Sequence, residues 1–153
     1  MSLYIKHHGT NNSLFELGAV CFTKTNPEAV AGANAPYGVL GGSVAALSGE
    51  KDYEVVPGDG TLTAVGLFLN NAQGAPFENA PAVASGKVAV TQKQASVETD
   101  YYDKAVTFKQ GDKLYCNADG FLTNVESTNK QVIGTCTKVP SAADPLLGLD
   151  MAI

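Results

Sequence analysis

Few side chains in this sequence are of types that perform chemistry. His7 and His8 are the two histidines of the chain, and they are adjacent. In an extended segment, neighbouring side chains point to opposite sides, so the two imidazoles would not converge on one metal ion. We therefore expect no metal site and no cofactor.

The three cysteines give no metal pattern and no evident nucleophile. Cys21, Cys116 and Cys136 lack the Cys-x-x-Cys spacing of zinc and redox sites, and three cysteines cannot all pair within one chain. Cys116 and Cys136 could face each other across a hairpin, but free cysteines are often buried as small apolar residues. The sequence therefore favours reduced, partly buried thiols and leaves a disulfide open.

A glycine-flanked serine and a group of acidic residues are the remaining candidates. Ser43 follows two glycines, but the final glycine of a nucleophile elbow and a following helix are missing. Glu98, Asp100 and Asp103 surround two tyrosines without the spacing of an EF-hand. General acid–base work on a sugar would require stacking aromatics, and the chain has no Trp. We predict no catalytic residue, and we expect Asp100, Tyr101 and Tyr102 to form the rim of an interface.

Composition and charge restrict the partners. The chain has 153 residues, a net charge of −5, and ten cationic residues that are all Lys. Without Arg it lacks the planar fork of donors that clamps phosphates and carboxylates, and an acidic chain is poorly suited to nucleic acid. The N-terminus has no signal-peptide pattern, and no apolar run approaches the ~20 residues of a membrane helix. We expect a soluble protein made in a cytoplasm that binds neither nucleic acid nor membrane.

Short strands separated by turn residues dominate the pattern. Strands are predicted at 14–24, 52–56, 62–70, 87–92, 105–109, 113–116, 120–124, 131–139 and 146–152. Residues 57–60 and 117–120 contain Asp-Gly and predict turns, the first of them a hairpin between its two flanking strands. Residues 43–47 could form at most one helical turn, because glycines interrupt the Ala-rich stretch around them. The fold class is all-β: a single compact antiparallel β-sandwich or β-barrel with little helix.

Two segments lie outside this pattern and are candidate contacts. Residues 1–12 form an extended N-terminal arm, and residues 13–153 form a single β domain that contains a long loop at 70–85. Loops of this length in compact domains usually have a function. Apolar side chains in otherwise polar segments indicate contacts with a partner, so we predict Leu3, Tyr4, Ile5 and Phe77 as contact residues.

Residues 105–150 resemble a known family. This segment contains Gly-Asp-Lys-Leu-Tyr at 111–115, Gly-Phe-Leu-Thr at 120–123 and Val-Ile-Gly at 132–134, and it continues to Pro140 and Leu-Gly-Leu at 147–149. The pattern is similar to that of the small β-rich decoration, or cement, proteins on the heads of tailed bacteriophages. The segment makes up about a third of the chain.

The resemblance implies a non-enzymatic virion protein. Decoration proteins bind the lattice of the major capsid protein, often as dimers or trimers, and stabilise the head. We therefore expect the major capsid protein as partner, a homo-oligomer, and a location on the capsid surface. The alternatives are a phage tail-tube, head–tail or fibre-associated structural protein, or a cellular carbohydrate- or peptide-binding β module. The last would be favoured by a concave aromatic patch of Tyr37, Tyr53, Tyr101 and Tyr102.

Overall fold

The computed structural model describes residues 3–5, 12–17, 39–69, 87–93 and 96–153. These residues contain eleven strands and no helix: β1 (Leu3–Ile5), β2 (Asn12–Leu17), β3 (Val44–Leu47), β4 (Glu54–Pro57), β5 (Ala64–Phe68), β6 (Lys87–Thr91), β7 (Ser96–Thr99), β8 (Lys113–Cys116), β9 (Leu122–Thr123), β10 (Gly134–Lys138) and β11 (Leu147–Met151). The predicted all-β class with a sandwich or barrel architecture is confirmed.

The described strands form two curled sheets. The first has six strands in the order β1-β7-β11-β10-β8-β9, and the second closes into a five-stranded barrel in the order β2-β4-β3-β5-β6. Every pair in the first sheet is antiparallel, whereas the barrel contains one parallel pair, β2 with β4. The C-terminal strands β7 to β11 thus build one sheet, to which only β1 comes from the N-terminal part.

Two apolar clusters hold these sheets. The inter-sheet cluster consists of buried side chains from both sheets: Val44, Ala64, Leu67, Val97, Tyr102, Phe108, Leu114, Cys116, Leu122, Ile133, Cys136, Leu147, Leu149 and Met151. The barrel cluster contains Val39, Ala45, Val55, Val56, Phe68, Val88 and Val90. Because apolar burial is the main favourable term in folding, the inter-sheet cluster holds the two sheets together and the barrel cluster fills the barrel.

Strand β3 is buried on both faces. Val44 belongs to the inter-sheet cluster, its neighbour Ala45 belongs to the barrel cluster, and both are 0% exposed. A strand covered on both sides shows a continuous apolar run instead of an alternation. This explains why the helical turn expected at 43–47 was wrong: local composition favoured a turn, and burial on both faces selects a strand.

A bulge in β5 shifts which side chains face each core. Ala64 and Leu67 both join the inter-sheet cluster, although they are three residues apart. The pairing with β3 shifts register between Ala45 and Ala46, opposite Gly66, which has a φ of +155°. An extra residue in one strand reverses the alternation beyond it. The bulge thereby places Leu67 on the same face as Ala64, in the inter-sheet cluster, and Phe68 in the barrel cluster.

Two further predictions of secondary structure were wrong. Residues 57–60 do not form a hairpin, because β4 and β5 are not neighbours: both pair with β3, which lies between them. Asp59 Oδ1 instead accepts hydrogen bonds from the backbone N–H groups of Thr61 and Leu62.

Residues 105–109 form no strand, because side chains accept hydrogen bonds from the backbone at both ends of this segment. Asp103 accepts from Ala105 N–H, and Asp112 accepts from Lys109 N–H.

The second predicted turn is confirmed. Residues 117–120 connect β8 to β9, which pair antiparallel. Asn117 Oδ1 accepts hydrogen bonds from the N–H groups of Asp119 and Phe121, each at 2.9 Å. An Asn side chain that bonds its own following backbone stabilises a tight turn.

Candidate protein-interaction site

The predicted arm contacts lie on a sheet edge. Leu3, Tyr4 and Ile5 form β1, which pairs antiparallel with β7 so that Tyr4 lies opposite Glu98. Among the described strands β1 has one partner, and its other edge belongs to no described ladder. Edge strands present backbone N–H and C=O groups that another chain can use. Phe77 lies outside the described residues, as do His7, His8, Cys21 and Tyr37.

The tyrosines predicted at an interface rim lie in the interior. Tyr101 and Tyr102 are each 8% exposed. Tyr102 belongs to the inter-sheet cluster, and Tyr101 packs with Leu40 in a third, smaller cluster. The ring of Tyr101 lies 5.6 Å from that of Phe121, and the ring of Tyr102 packs edge-on at 5.6 Å from that of Phe108. These tyrosines therefore form no concave patch with Tyr53, which is exposed on a hairpin of the barrel.

The acidic residues near these tyrosines have separate structural roles. Glu98 Oε2 lies 3.1 Å from Lys138 Nζ, and Asp103 Oδ1 accepts the N–H of Ala105. Asp100 is half-buried, and its Oδ1 is buried without a hydrogen-bond partner. Within the described ranges, no group of three or more His, Cys, Asp or Glu side chains is placed to bind a metal ion.

An ion-pair row crosses the face of the six-stranded sheet. The pairing registers place Gly148 of β11 between Glu98 of β7 and Lys138 of β10. A Cβ at Gly148 would come within 2.7 Å of the Lys138 Cβ, so the glycine leaves the space in which Lys138 reaches across to Glu98. Lys138 Nζ also lies 2.5 Å from Asp144 Oδ2, and these carboxylates raise the pKa of Lys138, Asp144 most strongly. The Lys138–Glu98 pair spans β10, β11 and β7, and the Lys138 and Asp144 side chains are partly exposed.

The described cysteines are buried thiols. Gly134 lies opposite Leu114, so Cys136 lies opposite Asp112 and about 13 Å along the strand from Cys116, at ~3.3 Å per residue. A disulfide needs α-carbons less than ~7 Å apart, so the proposed facing pair is wrong and both thiols are free. Burial raises the pKa of Cys116 to about 12, and burial also raises that of Cys136. The thiolate is the nucleophile, so both groups are poor ones.

Ser43 is likewise a structural group. Its hydroxyl is 3% exposed and donates a 2.8 Å hydrogen bond to the backbone oxygen of Leu40. Ser43 therefore stabilises the turn that leads into β3.

A surface depression of about 300 Å³ lies beside Cys116. Its carboxylates are Asp59, Asp103 and Glu126. Each has a structural partner: Asp59 and Asp103 accept backbone N–H groups, and Glu126 Oε1 lies 3.6 Å from Lys130 Nζ. These carboxylates hold loops in place.

The most exposed large apolar side chain that the structure describes lies on the hairpin between β3 and β4. This hairpin end, residues 47–53, is called the β3–β4 tip. Tyr53 is 76% exposed and has a φ of +59°, and Leu47 at the other side of the tip is 37% exposed. The criterion that selected Phe77, an apolar side chain in a polar segment, also applies to Tyr53, which follows Ser-Gly-Glu-Lys-Asp. Sequence reasoning had used Tyr53 only as a member of an aromatic patch.

Comparisons with known proteins return no relative. No protein-family model matches the chain, and no curated protein matches it. Among the residues that the structure describes, no helix has the length and apolarity needed to cross a membrane. Any functional assignment must therefore come from the residues and their geometry.

Proposed function

We propose that this chain is a non-enzymatic structural protein of a phage virion, a capsid decoration protein that binds the lattice of the major capsid protein and stabilises the head. The observation that supports this most is how the segment resembling that family is organised. Residues 113–151 supply β8 to β11, four of the six strands of one sheet. The resembling segment thus corresponds to a structural unit.

The motif residues of that segment have physical roles in the fold. Asp112 Oδ2 accepts hydrogen bonds from Lys109 N–H at 2.8 Å and from Asn124 Nδ2 at 2.9 Å. The bond from Asn124 is the main cause of the lowered pKa of Asp112. Leu114, Leu122 and Ile133 are each 0% exposed and belong to the inter-sheet cluster. The pattern therefore encodes a folded β-unit, which is what a decoration protein presents to a capsid.

The groups with perturbed pKa values favour binding over catalysis. Hydrogen bonds in a turn lower the pKa of Asp112, and two carboxylates raise that of Lys138. Burial raises the pKa of both described thiols. Perturbed pKa values can mark an active site, but each of these four shifts has a structural cause in a turn, an ion pair or burial. This supports a protein whose function is assembly.

The proposed mechanism is cooperative binding through protein surfaces. A specific interface buries roughly 800 Å² per partner, and repetition over a capsid lattice makes small contributions collective. We expect the edge strand β1, with Leu3, Tyr4 and Ile5, to contribute backbone hydrogen bonds to a neighbouring chain. A homo-oligomer would add further contacts at each capsid site.

The experiment is a head-binding assay. Purified protein is added to mature heads of the encoding phage that were assembled without this chain, and the bound fraction is separated by sedimentation. We expect saturable binding at a fixed ratio to the major capsid protein and greater resistance of the heads to heat. Absence of binding to heads, or self-assembly into tubes, would contradict the proposal.

A further inference from the structure

Tyr53 combines two unusual properties. Its side chain is 76% exposed, whereas the other tyrosines whose side chains the structure describes, Tyr101, Tyr102 and Tyr115, are each 8% exposed. Its φ of +59° lies in the left-handed region, which is unfavourable for a bulky side chain. Strained residues of this kind concentrate at functional sites, and here the strain is an observed outlier.

The fold has no need of the Tyr53 ring. Asn and Gly adopt a positive φ with little strain, so either residue would suit the backbone of this turn. Gly49 in the same tip shows that solution, with a φ of +76°. A ring that is three-quarters exposed gains little from packing. Its strained backbone therefore lowers the stability of the fold, and packing of the ring does not offset this loss.

The surroundings of Tyr53 indicate the chemistry of its partner. Leu47 gives a second exposed apolar group on the tip, and Glu50 and Asp52 are exposed beside it. The cation of the tip, Lys51, lies 3.8 Å from Glu54 Oε2. A tip with excess negative charge repels phosphate-bearing partners, and an amphipathic Tyr suits a partly apolar protein pocket.

We infer that Tyr53 is the anchor residue by which the β3–β4 tip docks into an apolar pocket on the surface of the capsid shell. This inference rests on the proposed function and names the contact residue for it. Tyr is among the side chains that contribute most to protein interfaces when the pocket excludes water. The strain is retained because the ring acts in the complex.

The test compares two substitutions that relieve the same kind of strain. Tyr53→Asn removes the ring and suits the positive φ. Lys130→Asn relieves the positive φ of +55° at Lys130 and removes only an exposed ion pair with Glu126, and exposed pairs contribute little to stability. Both variants should unfold at a urea concentration equal to or higher than that of the unmodified protein. Tyr53→Asn should bind heads roughly 10- to 100-fold more weakly, as expected for an interface hot spot, and Lys130→Asn should bind normally.

Each other outcome is decisive. If the unmodified protein binds heads and Tyr53→Asn binds within twofold of it, the inference is wrong and the proposed function stands. If Tyr53→Asn instead shifts the oligomeric state in sedimentation with head binding unchanged, the tip contacts a second copy and the inference is overturned. Failure of the unmodified protein to bind heads would overturn both.

Discussion

Gly66 lies in β5 directly against the backbone oxygen of Thr91, and a Cβ added there would overlap with this oxygen. Its φ of +155° is also one that side chains rarely adopt. The bulge that places Leu67 in the inter-sheet cluster therefore depends on a residue without a side chain. At the residue scale, the absence of a Cβ at position 66 is what permits the bulge in β5.

We expect Gly66→Ala to lower the free energy of unfolding by about 2–4 kcal/mol, because it adds both a steric overlap and backbone strain. Gly49→Ala is the matched control: its φ is +76°, but nothing lies within 4 Å of the added Cβ. Strain alone should cost about 1–2 kcal/mol there. Urea unfolding of both variants measures the difference, and equal losses would show that the contact with Thr91 is unimportant.

Cys116 gives a prediction for alkaline pH. Its folded pKa of about 12 lies above the ordinary value of 9.0, so the unfolded chain releases this proton first as pH rises. The free energy of unfolding is therefore unaffected by ionisation of this thiol below pH 9. Between pH 9 and about 12 it falls by up to about 1.4 kcal/mol per pH unit, because the unfolded chain is deprotonated there and the folded chain is not. Lys138, whose pKa is also raised, adds a loss in the same direction near its own pKa.

Unfolding free energies of the unmodified protein and Cys116→Ala between pH 8 and 11 separate these effects. The variant should start less stable, because a buried side chain is truncated, and its stability should fall less steeply with pH. Parallel curves would show that the thiol ionises equally in both states.

At the scale of elements, β1 joins the N-terminal residues to the C-terminal sheet. Tyr4 lies opposite Glu98, and opposed residues in an antiparallel pair have α-carbons ~4.5–5.5 Å apart, within the range of a disulfide. In a Cys21→Ser background, Tyr4→Cys with Glu98→Cys should therefore form an intramolecular disulfide on mild oxidation. Mass spectrometry of the digested protein detects it.

The control for that cross-link pairs Tyr4→Cys with Val97→Cys. Val97 is the neighbour of Glu98 on β7 and points to the opposite face of the sheet. It should not cross-link. Equal yields in both double variants would mean that β1 does not hold this register.

The sequence predicted β8, β10 and β11 but missed β7. Strands at 113–116, 131–139 and 146–152 were recognised because turn residues bound them closely. Strand β3 was missed since Ala-rich composition favours other structures, and only the barrel and the second sheet together make a strand of it. The hairpin at 57–60 was wrong because β4 and β5 both pair antiparallel with β3, so they run parallel to each other and the segment between them does not reverse the chain.

The site was harder to predict than the fold. Tyr101 and Tyr102 were interpreted as surface residues because carboxylates surround them, yet Glu98 and Asp103 have partners of their own and both rings pack inward. The strain at Tyr53 depends on a backbone angle, which no composition or spacing reveals. The residues at 3–5 and 77 stay predictions as contacts.

At the scale of the whole molecule, the two described sheets are joined through the inter-sheet cluster, with an edge strand on one sheet and an exposed hairpin tip on the other. The edge is β1, and the tip carries Tyr53. We propose that the protein acts by attachment to other proteins, and the resemblance of residues 105–150 to decoration proteins is the reason for proposing a capsid surface as the partner.

We propose that a phage encodes the chain, and the most direct test is quantitative mass spectrometry of purified virions of the candidate phage, with tails and heads analysed separately. We predict the chain in the head fraction, at a fixed ratio near one, or near one to three, relative to the major capsid protein. Its absence from virions, or its presence in the tail fraction alone, would contradict the account.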